Sequence, residues 1–135
     1  DALVDIGTGR MVLHRMALFR VAGRVAGCEG LRGIVTGEAI GQKSSQTTAN
    51  LAHTAGAVDL PVHRPLLAVR KEEITERARR IGTFESATVD AACRTLAPKH
   101  PATSIDPGRL ETLADEVTLD ALVDAAWERT ERVDL

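Results

Sequence analysis

The chain has 135 residues and a net charge of −2 at pH 7, with 44% apolar and 27% charged residues. These values are ordinary for one soluble globular domain or a piece of a larger one, and no apolar run is long enough to cross a membrane. The charge is uneven: residues 1–110 carry 15 Lys or Arg against 11 Asp or Glu, whereas residues 111–135 carry 2 against 8. A dedicated nucleic-acid-binding protein usually has a strong basic excess, so we do not expect this chain to hold RNA by itself.

Two cysteines, Cys28 and Cys93, lie far apart in the sequence. Two are too few for a disulfide scaffold or a cysteine-rich zinc site, and they fit the reducing environment of the cytosol. No signal-peptide pattern is present, so we expect a cytoplasmic location. Aromatic residues make up only 2% of the chain, which predicts an aliphatic core. The chain starts with Asp1 rather than Met, which favours a piece of a longer protein.

The apolar periodicity predicts helices and strands in alternation over the first two thirds of the chain. A helix with a basic stripe is expected over residues 11–27, and a short buried strand over residues 31–36. A second helix, with Ser44 or Ser45 as its N-cap, is expected over residues 44–55. Residues 60–69 are typical of an edge or interrupted strand because they contain two prolines. A third helix is expected over residues 71–81, with its acidic residues early and its basic residues late.

The last third is predicted to be irregular over residues 82–106 and helical after that. Asp106 followed by Pro107 is typical of an N-cap and a first helical position, and two acidic helices are expected near residues 108–116 and 119–130. The whole order predicts an α/β fold with a parallel sheet. Two strands do not form a stable open sheet alone. Either further strands lie upstream of residue 1, or two chains pair through the exposed sheet edge as a homodimer.

The segment around residues 34–48 is the strongest candidate for a ligand site. A buried strand leads into Gly37, a glycine-containing loop and a helix start, and ligands of open α/β sheets lie beyond the carboxyl ends of the strands. Gly37 would let a ligand approach the backbone closely, the amides near residues 41–45 could face an anion, and Gln46 could contact a base or ribose. A capped helix after a glycine turn explains the same residues without any ligand.

Four segments together resemble the ThiI family of tRNA 4-thiouridine synthetases, which are also linked to thiamine biosynthesis. They are HRMALFRVAGRVA at residues 14–26, VTGEAIGQKSSQT at 35–47, HRPLLAVRKEEITERARRIGT at 63–83 and CRTLAPKHPAT at 93–103. The resemblance covers about residues 10–105, in the family's order and spacing. Several independent motifs are far more specific than any one of them.

The resemblance implies a PP-loop fold of the adenine nucleotide alpha hydrolase type, with ATP and Mg²⁺ as cofactors and tRNA as substrate. Family members adenylate a tRNA uridine, and sulfur from a protein persulfide, supplied by a donor such as a cysteine desulfurase, then displaces AMP. By motif match, Arg15, Gly37 and Gln46 resemble the nucleotide-binding positions. Lys71 resembles the lysine needed for activation, and Cys93 the cysteine of sulfur transfer. A role in thiamine thiazole synthesis is implied as well.

Plainer roles stay open for these residues. Arg15 could be a solvated residue on a basic helix face, and Lys71 could simply pair with a neighbouring glutamate. Glu38 could be catalytic or could orient its loop. Cys93 could be an inert loop cysteine; to transfer sulfur it would need to act as a thiolate, which the nearby basic residues Arg94, Lys99 and His100 would favour. We assign Cys28 a structural role and expect no metal site: Cys93 with His100 is at most half of one, and His14, His53 and His63 lack ligand spacing.

The sequence also departs from the family pattern. The Ser-Gly-Gly-x-Asp-Ser phosphate loop, the THUMP region that binds tRNA and the rhodanese-like domain are not found in it, and Ala92 stands where many relatives have a second cysteine. We therefore expect residues 1–105 to be the C-terminal part of a PP-loop domain, residues 106–135 to be closing acidic helices, and the chain alone to be inactive. The alternatives are a non-catalytic, partner-binding half-domain and a PP-loop ATPase acting on another substrate.

Overall fold

The computed structural model describes residues 3, 6–41, 46–87 and 102–133. In chain order the elements are α1 (Arg10–Cys28), β1 (Ile34–Val35), α2 (Thr48–Ala55), β2 (Val62–His63), α3 (Lys71–Arg80), α4 (Phe84–Ala87), α5 (Pro107–Glu116) and α6 (Leu119–Trp127). The fold is therefore α/β, as predicted, with a two-stranded sheet in the described part of the chain. None of the described helices is long and apolar enough to cross a membrane.

The two strands pair in parallel, which confirms the expected sheet direction. Ile34 lies opposite Val62, and Val35 lies opposite His63. Both strands are shorter than predicted. The carbonyl of Arg64 accepts a hydrogen bond from the amide of Leu67 at 3.1 Å, so the chain turns just after β2. Pro65 occupies the second position of this turn, which its fixed φ angle favours.

Helix α2 begins later than predicted, and its cap is a different residue. The side chain of Thr47 accepts a hydrogen bond from the amide of Asn50, and Thr47 itself is extended, as an N-cap requires. Neither of the two predicted caps, Ser44 and Ser45, starts the helix, and both lie outside the described residues. The region predicted to be irregular contains the short helix α4, while residues 88–101 lie outside the described residues.

The core lies between α1 and the pair α5–α6, and it is aliphatic, as the composition predicted. Its buried members are Ile6, Val12, Leu13, Ile105, Leu110, Leu113 and Leu119. Helix α1 also packs against α2 and β1, so it holds the sheet and the C-terminal helices together. The basic stripe of α1 faces the acidic α6, with ion pairs from Arg20 to Asp120 and from Arg24 to Asp124.

Candidate nucleotide site at the carboxyl end of β1

A loop at the carboxyl end of β1, here called the β1 loop (residues 36–41), forms the centre of the candidate site. Its backbone is fixed at several points. The amide of Glu38 donates to the hydroxyl of Thr36 at 3.3 Å, and the amide of Ile40 donates to the carbonyl of Leu67 at 2.9 Å. The β1 loop therefore lies against the segment that follows β2, at the edge where ligands of parallel sheets bind.

Glu38 is the most strongly held side chain of the β1 loop. It is only 2% exposed, and each of its carboxylate oxygens accepts from a different arginine. Arg15 of α1 donates from Nη1 to Oε1 at 2.8 Å, and Arg64, just after β2, donates from Nε to Oε2 at 2.8 Å. Such charge-assisted bonds offset the cost of burying a carboxylate. Of the two roles that the sequence left open for Glu38, this arrangement favours orientation of the loop.

Arg15 lies at the site, as its motif predicted, but one of its guanidinium nitrogens is already engaged by Glu38. Its Nε is buried and has no hydrogen-bond partner among the described residues. Its side chain keeps 22% of its surface exposed. Because two arginines surround one glutamate, the cluster carries a net positive charge, which would favour an anion nearby.

Gly37 leaves open space beside the backbone. A Cβ atom placed on Gly37 would meet nothing within 4 Å, and the residue is exposed. The glycine is therefore not required by packing within the described part of the chain. Packing does not explain the glycine at this position, whereas the close approach of a ligand to the backbone would explain it.

Gln46 is buried against the β1 loop. Its Oε1 accepts a hydrogen bond from the amide of Ala39 at 2.8 Å, and its carbonyl accepts from the amide of Gly41 at 3.2 Å. No described residue accepts from its Nε2, so the amide group keeps donors for a ligand. The structure thus brings Arg15, Gly37 and Gln46 together around one loop.

Lys71 lies at the first position of α3 and is exposed. It lines a cavity of about 500 Å³ together with Ile40 of the β1 loop, Leu67, Ala68, Val69, Arg70 and Glu72. The structure therefore places Lys71 beside one residue of the β1 loop, Ile40, after the carboxyl end of β2. Cys93, the predicted sulfur-transfer residue, lies outside the described residues.

Cys28, His14 and His53 lie in different surroundings. Cys28 is exposed at the end of α1 and contributes nothing to the core, and its assignment as a residue without a chemical role stays a prediction. His14 is half-buried, and burial, together with the positive charge of Arg15, lowers its pKa below the usual 6.5. The Nε2 of His53 lies 3.0 Å from the carbonyl oxygen of Ile105. No group of three metal-ligating side chains occurs among the described residues.

Two features of the site were missed in the sequence. Arg64 lies within one of the family motifs but was not among the predicted site residues, although it is the second partner of Glu38 and also donates from Nη2 to the carbonyl of Leu51 at 3.3 Å. Helix α2 also holds the segment before α5: Thr47 Oγ1 donates to the carbonyl of Thr103 at 2.6 Å, and Asn50 Nδ2 to that of Ala102 at 2.9 Å. The available signal for Arg64 was a charged residue in the middle of the segment predicted as a strand (residues 60–69), because a charge among apolar neighbours needs a partner.

A family model described as "Thiamine biosynthesis protein (ThiI)" matches residues 6–119. The chain belongs to the ThiI family. The resemblance seen in the sequence is thereby confirmed, and the match extends through α5 to the first residue of α6.

Curated relatives of this ThiI family chain are named "Probable tRNA sulfurtransferase". One from Halobacterium salinarum is 53% identical over 98 residues, covering 73% of this chain and 25% of the relative. One from Thermus thermophilus is 44% identical over 108 residues, covering 78% and 26%. One from Acetivibrio thermocellus is 35% identical over 122 residues, covering 89% and 31%. The chain therefore spans about a quarter to a third of the length of these relatives.

A solved structure also resembles this ThiI family chain. It is described as a 4-thiouridine synthetase–RNA complex with bound ATP, and it matches with a TM-score of 0.78 and 36% sequence identity. The match covers 91% of this chain and 33% of the solved chain. Similarity in both fold and sequence supports the assignment to the ThiI family.

Proposed function

We propose that this chain is part of an ATP-dependent tRNA sulfurtransferase that converts a tRNA uridine to 4-thiouridine. The observation that carries the proposal is the β1 loop, around which Arg15, Gly37 and Gln46 meet in a chain of the ThiI family. The solved relative contains ATP and RNA, which supports the same ligands here. The reaction adenylates the uridine oxygen and then replaces AMP by sulfur.

In this proposal the β1 loop holds the adenine nucleotide. The backbone at Gly37 would lie against the nucleotide, and the Nε2 of Gln46 would donate to a base nitrogen or a ribose oxygen. Arg15 would supply positive charge beside the phosphates while it remains bonded to Glu38. Both oxygens of Glu38 are engaged by arginines, so Glu38 does not fit as a ligand for Mg²⁺, and we assign no step to a metal.

Lys71 would serve activation as a point charge. Lys71 lines the cavity beside Ile40, from where its ammonium group could approach an anionic group bound at the β1 loop. Adenylation develops negative charge on phosphoryl oxygens, and a preorganised cation stabilises that charge most in the transition state. A role limited to pairing with neighbouring glutamates has no support in the structure, since no ion pair of Lys71 occurs among the described residues.

Cys93 would carry the sulfur. As a persulfide loaded by a donor such as a cysteine desulfurase, its terminal sulfur attacks the activated uridine carbon, and AMP departs with the electron pair of the broken C–O bond. A second thiol then attacks the Cys93 sulfur, which leaves the terminal sulfur on the uridine. Because Ala92 precedes Cys93, this thiol has to come from elsewhere, and a reductant must afterwards restore Cys93.

The other parts of the proposed enzyme would complete the sheet and bind the tRNA. We propose that residues 1–105 form the C-terminal part of a PP-loop domain, closed by residues 106–135, and that the phosphate loop and a tRNA-binding region are supplied in cis or in trans. Val35 of β1 is 72% exposed, which supports a missing neighbour. We also propose a cytoplasmic location and a second role in thiamine thiazole synthesis, for which the family match is the support.

The substitution Gly37→Ala, made in the protein encoded by the complete gene, tests the proposed nucleotide site. Since the added methyl group meets no protein atom, we expect an unchanged melting temperature but a KM for ATP raised about tenfold or more, because the methyl group obstructs the nucleotide. The measurement is AMP release in the presence of tRNA and a persulfide donor. Gly27→Ala, also in open space but at the far end of α1, is the matched control and should leave the KM unchanged. An unaltered KM for ATP in Gly37→Ala would show that the β1 loop does not bind the nucleotide.

A further inference from the structure

Arg64 joins three parts of the candidate site through one guanidinium group. Its Nε donates to Oε2 of Glu38 at 2.8 Å, and its Nη2 donates to the carbonyl of Leu51 in α2 at 3.3 Å. Its side chain is 13% exposed. The β1 loop, the turn after β2 and helix α2 are therefore held together at this residue.

The two hydrogen bonds of Arg64 depend on the shape of the guanidinium group. Nε and Nη2 are donors on one edge of a rigid plane, so their spacing fixes the distance between the Glu38 carboxylate and the Leu51 carbonyl. A lysine in this place has a single, rotatable ammonium group and does not impose that spacing. The geometry at Arg64 thus specifies arginine rather than positive charge alone.

The contacts around Glu38 explain why this spacing matters for the loop. Glu38 lies between Gly37, where the backbone is open, and Ala39, whose amide donates to Gln46 at 2.8 Å. A shift of the Glu38 side chain would therefore move both the open backbone and the partner of Gln46. Arg15 alone would hold only the other carboxylate oxygen, from the side of α1.

We propose that Arg64 is a positioning residue for nucleotide binding, acting through Glu38 to fix the β1 loop against α2. Glu38 in turn is an internal counter-ion that accepts two arginine donors, and it is not the acid or base of the reaction. This inference rests on the proposed nucleotide site. The positioning role itself concerns contacts within the chain, and hydrogen exchange of the β1 loop measures it separately from activity.

The test is Arg64→Lys in the complete protein, with two measurements. We expect hydrogen exchange of the β1 loop amides to become faster in the absence of any ligand, because Glu38 loses one of its two arginine partners. We also expect the KM for ATP in tRNA-dependent AMP release to rise about tenfold or more, while kcat at saturating ATP changes about twofold at most. Arg109→Lys is the matched control: Arg109 pairs with Glu116 on the surface at 3.4 Å, and its replacement should change neither quantity.

A second variant keeps the proposal testable if Arg64→Lys does not fold. Glu38→Gln keeps the size of the side chain but presents an amide nitrogen to one arginine, and it should also speed exchange and raise the KM for ATP. Unchanged loop exchange in Arg64→Lys would overturn the positioning role, and so would a loss of kcat with an unchanged KM. Faster exchange combined with no activity in the unaltered protein would contradict the proposed function and leave the positioning role supported.

Discussion

Glu38 shows how one side chain can organise a site. A carboxylate that is 2% exposed is tolerated because Arg15 and Arg64 each donate to one of its oxygens. Removing one partner of a buried ion pair costs about 3–5 kcal/mol, since it leaves a charge without compensation. The cluster therefore ties the stability of the fold to the position of the β1 loop.

His14, the neighbour of Arg15, gives a prediction about pH. Its folded-state pKa is lowered, first by burial and then by the charge of Arg15. Below pH 6.5 the unfolded chain takes up the proton more readily than the folded chain, so the free energy of unfolding falls as the pH drops below that value. Urea unfolding at a series of pH values should show a smaller decline for His14→Gln than for the unaltered chain. The exposed His63 provides the control, because His63→Gln should keep the full decline. Equal declines in all three proteins would contradict this account.

The site residues differ in how far the sequence could predict them. Gly37 and Gln46 lie in one continuous motif, so their proximity followed from a strand that leads into a loop and a helix. The pairing of Glu38 with Arg15 and Arg64 joins residues that are 23 and 26 positions apart. No local pattern encodes such a pairing, because it depends on how α1 and β2 pack beside β1.

Helix α5 owes its sharp start to a cap that the sequence predicted correctly. The side chain of Asp106 accepts from the amide of Arg109 at 3.0 Å, and Pro107 occupies the first turn. Asp106→Ala should lower the free energy of unfolding by about 1 kcal/mol, because an amide at the helix end loses its partner. Asp106→Ser keeps a hydrogen-bond acceptor, so its free energy of unfolding should fall by only a small part of this amount. Chemical denaturation of the three proteins measures the difference, and an equal loss in both variants would show that the cap is not the cause.

The helices were predicted more accurately than the strands, for a physical reason. A helix satisfies its backbone groups locally, so α1 and α3 were found within one residue at each end. A strand needs a neighbour to define its length. Thr36 still donates from its amide to the carbonyl of His63 at 3.0 Å, but beyond this point the β1 loop and the turn at Pro65 end the regular strand pairing. The prolines that suggested an interrupted strand were the correct local signal.

Part of the uneven charge of the sequence is paired where α6 packs against α1. The basic stripe of α1 pairs with the acidic α6 at Arg20–Asp120 and Arg24–Asp124, each joining residues 100 positions apart. These pairs are exposed, so each contributes at most about 1 kcal/mol. Asp120 and Asp124 of the acidic C-terminal region are thus paired within this protein. The charge of this region is no argument against an RNA substrate elsewhere on the molecule.

The sheet of the molecule remains open in the part that the structure describes. Val35 and Leu31 are exposed on and beside β1, at 72% and 56%, and a two-stranded sheet is marginal alone. Upstream strands of a PP-loop domain would cover this side, and pairing of two chains is the alternative prediction. Both arrangements agree with a chain that spans a quarter to a third of its relatives.

Formation of 4-thiouridine is the measurement that tests the central claim most directly. The protein from the complete gene and the 135-residue chain would each be incubated with tRNA, ATP and a persulfide donor, and the digested tRNA would be analysed by mass spectrometry. We expect 4-thiouridine from the complete protein only when ATP is present, and none from the chain alone. Absence of the product with the complete protein would contradict the proposed function, and abundant product with the chain alone would contradict its assignment as half of a catalytic domain.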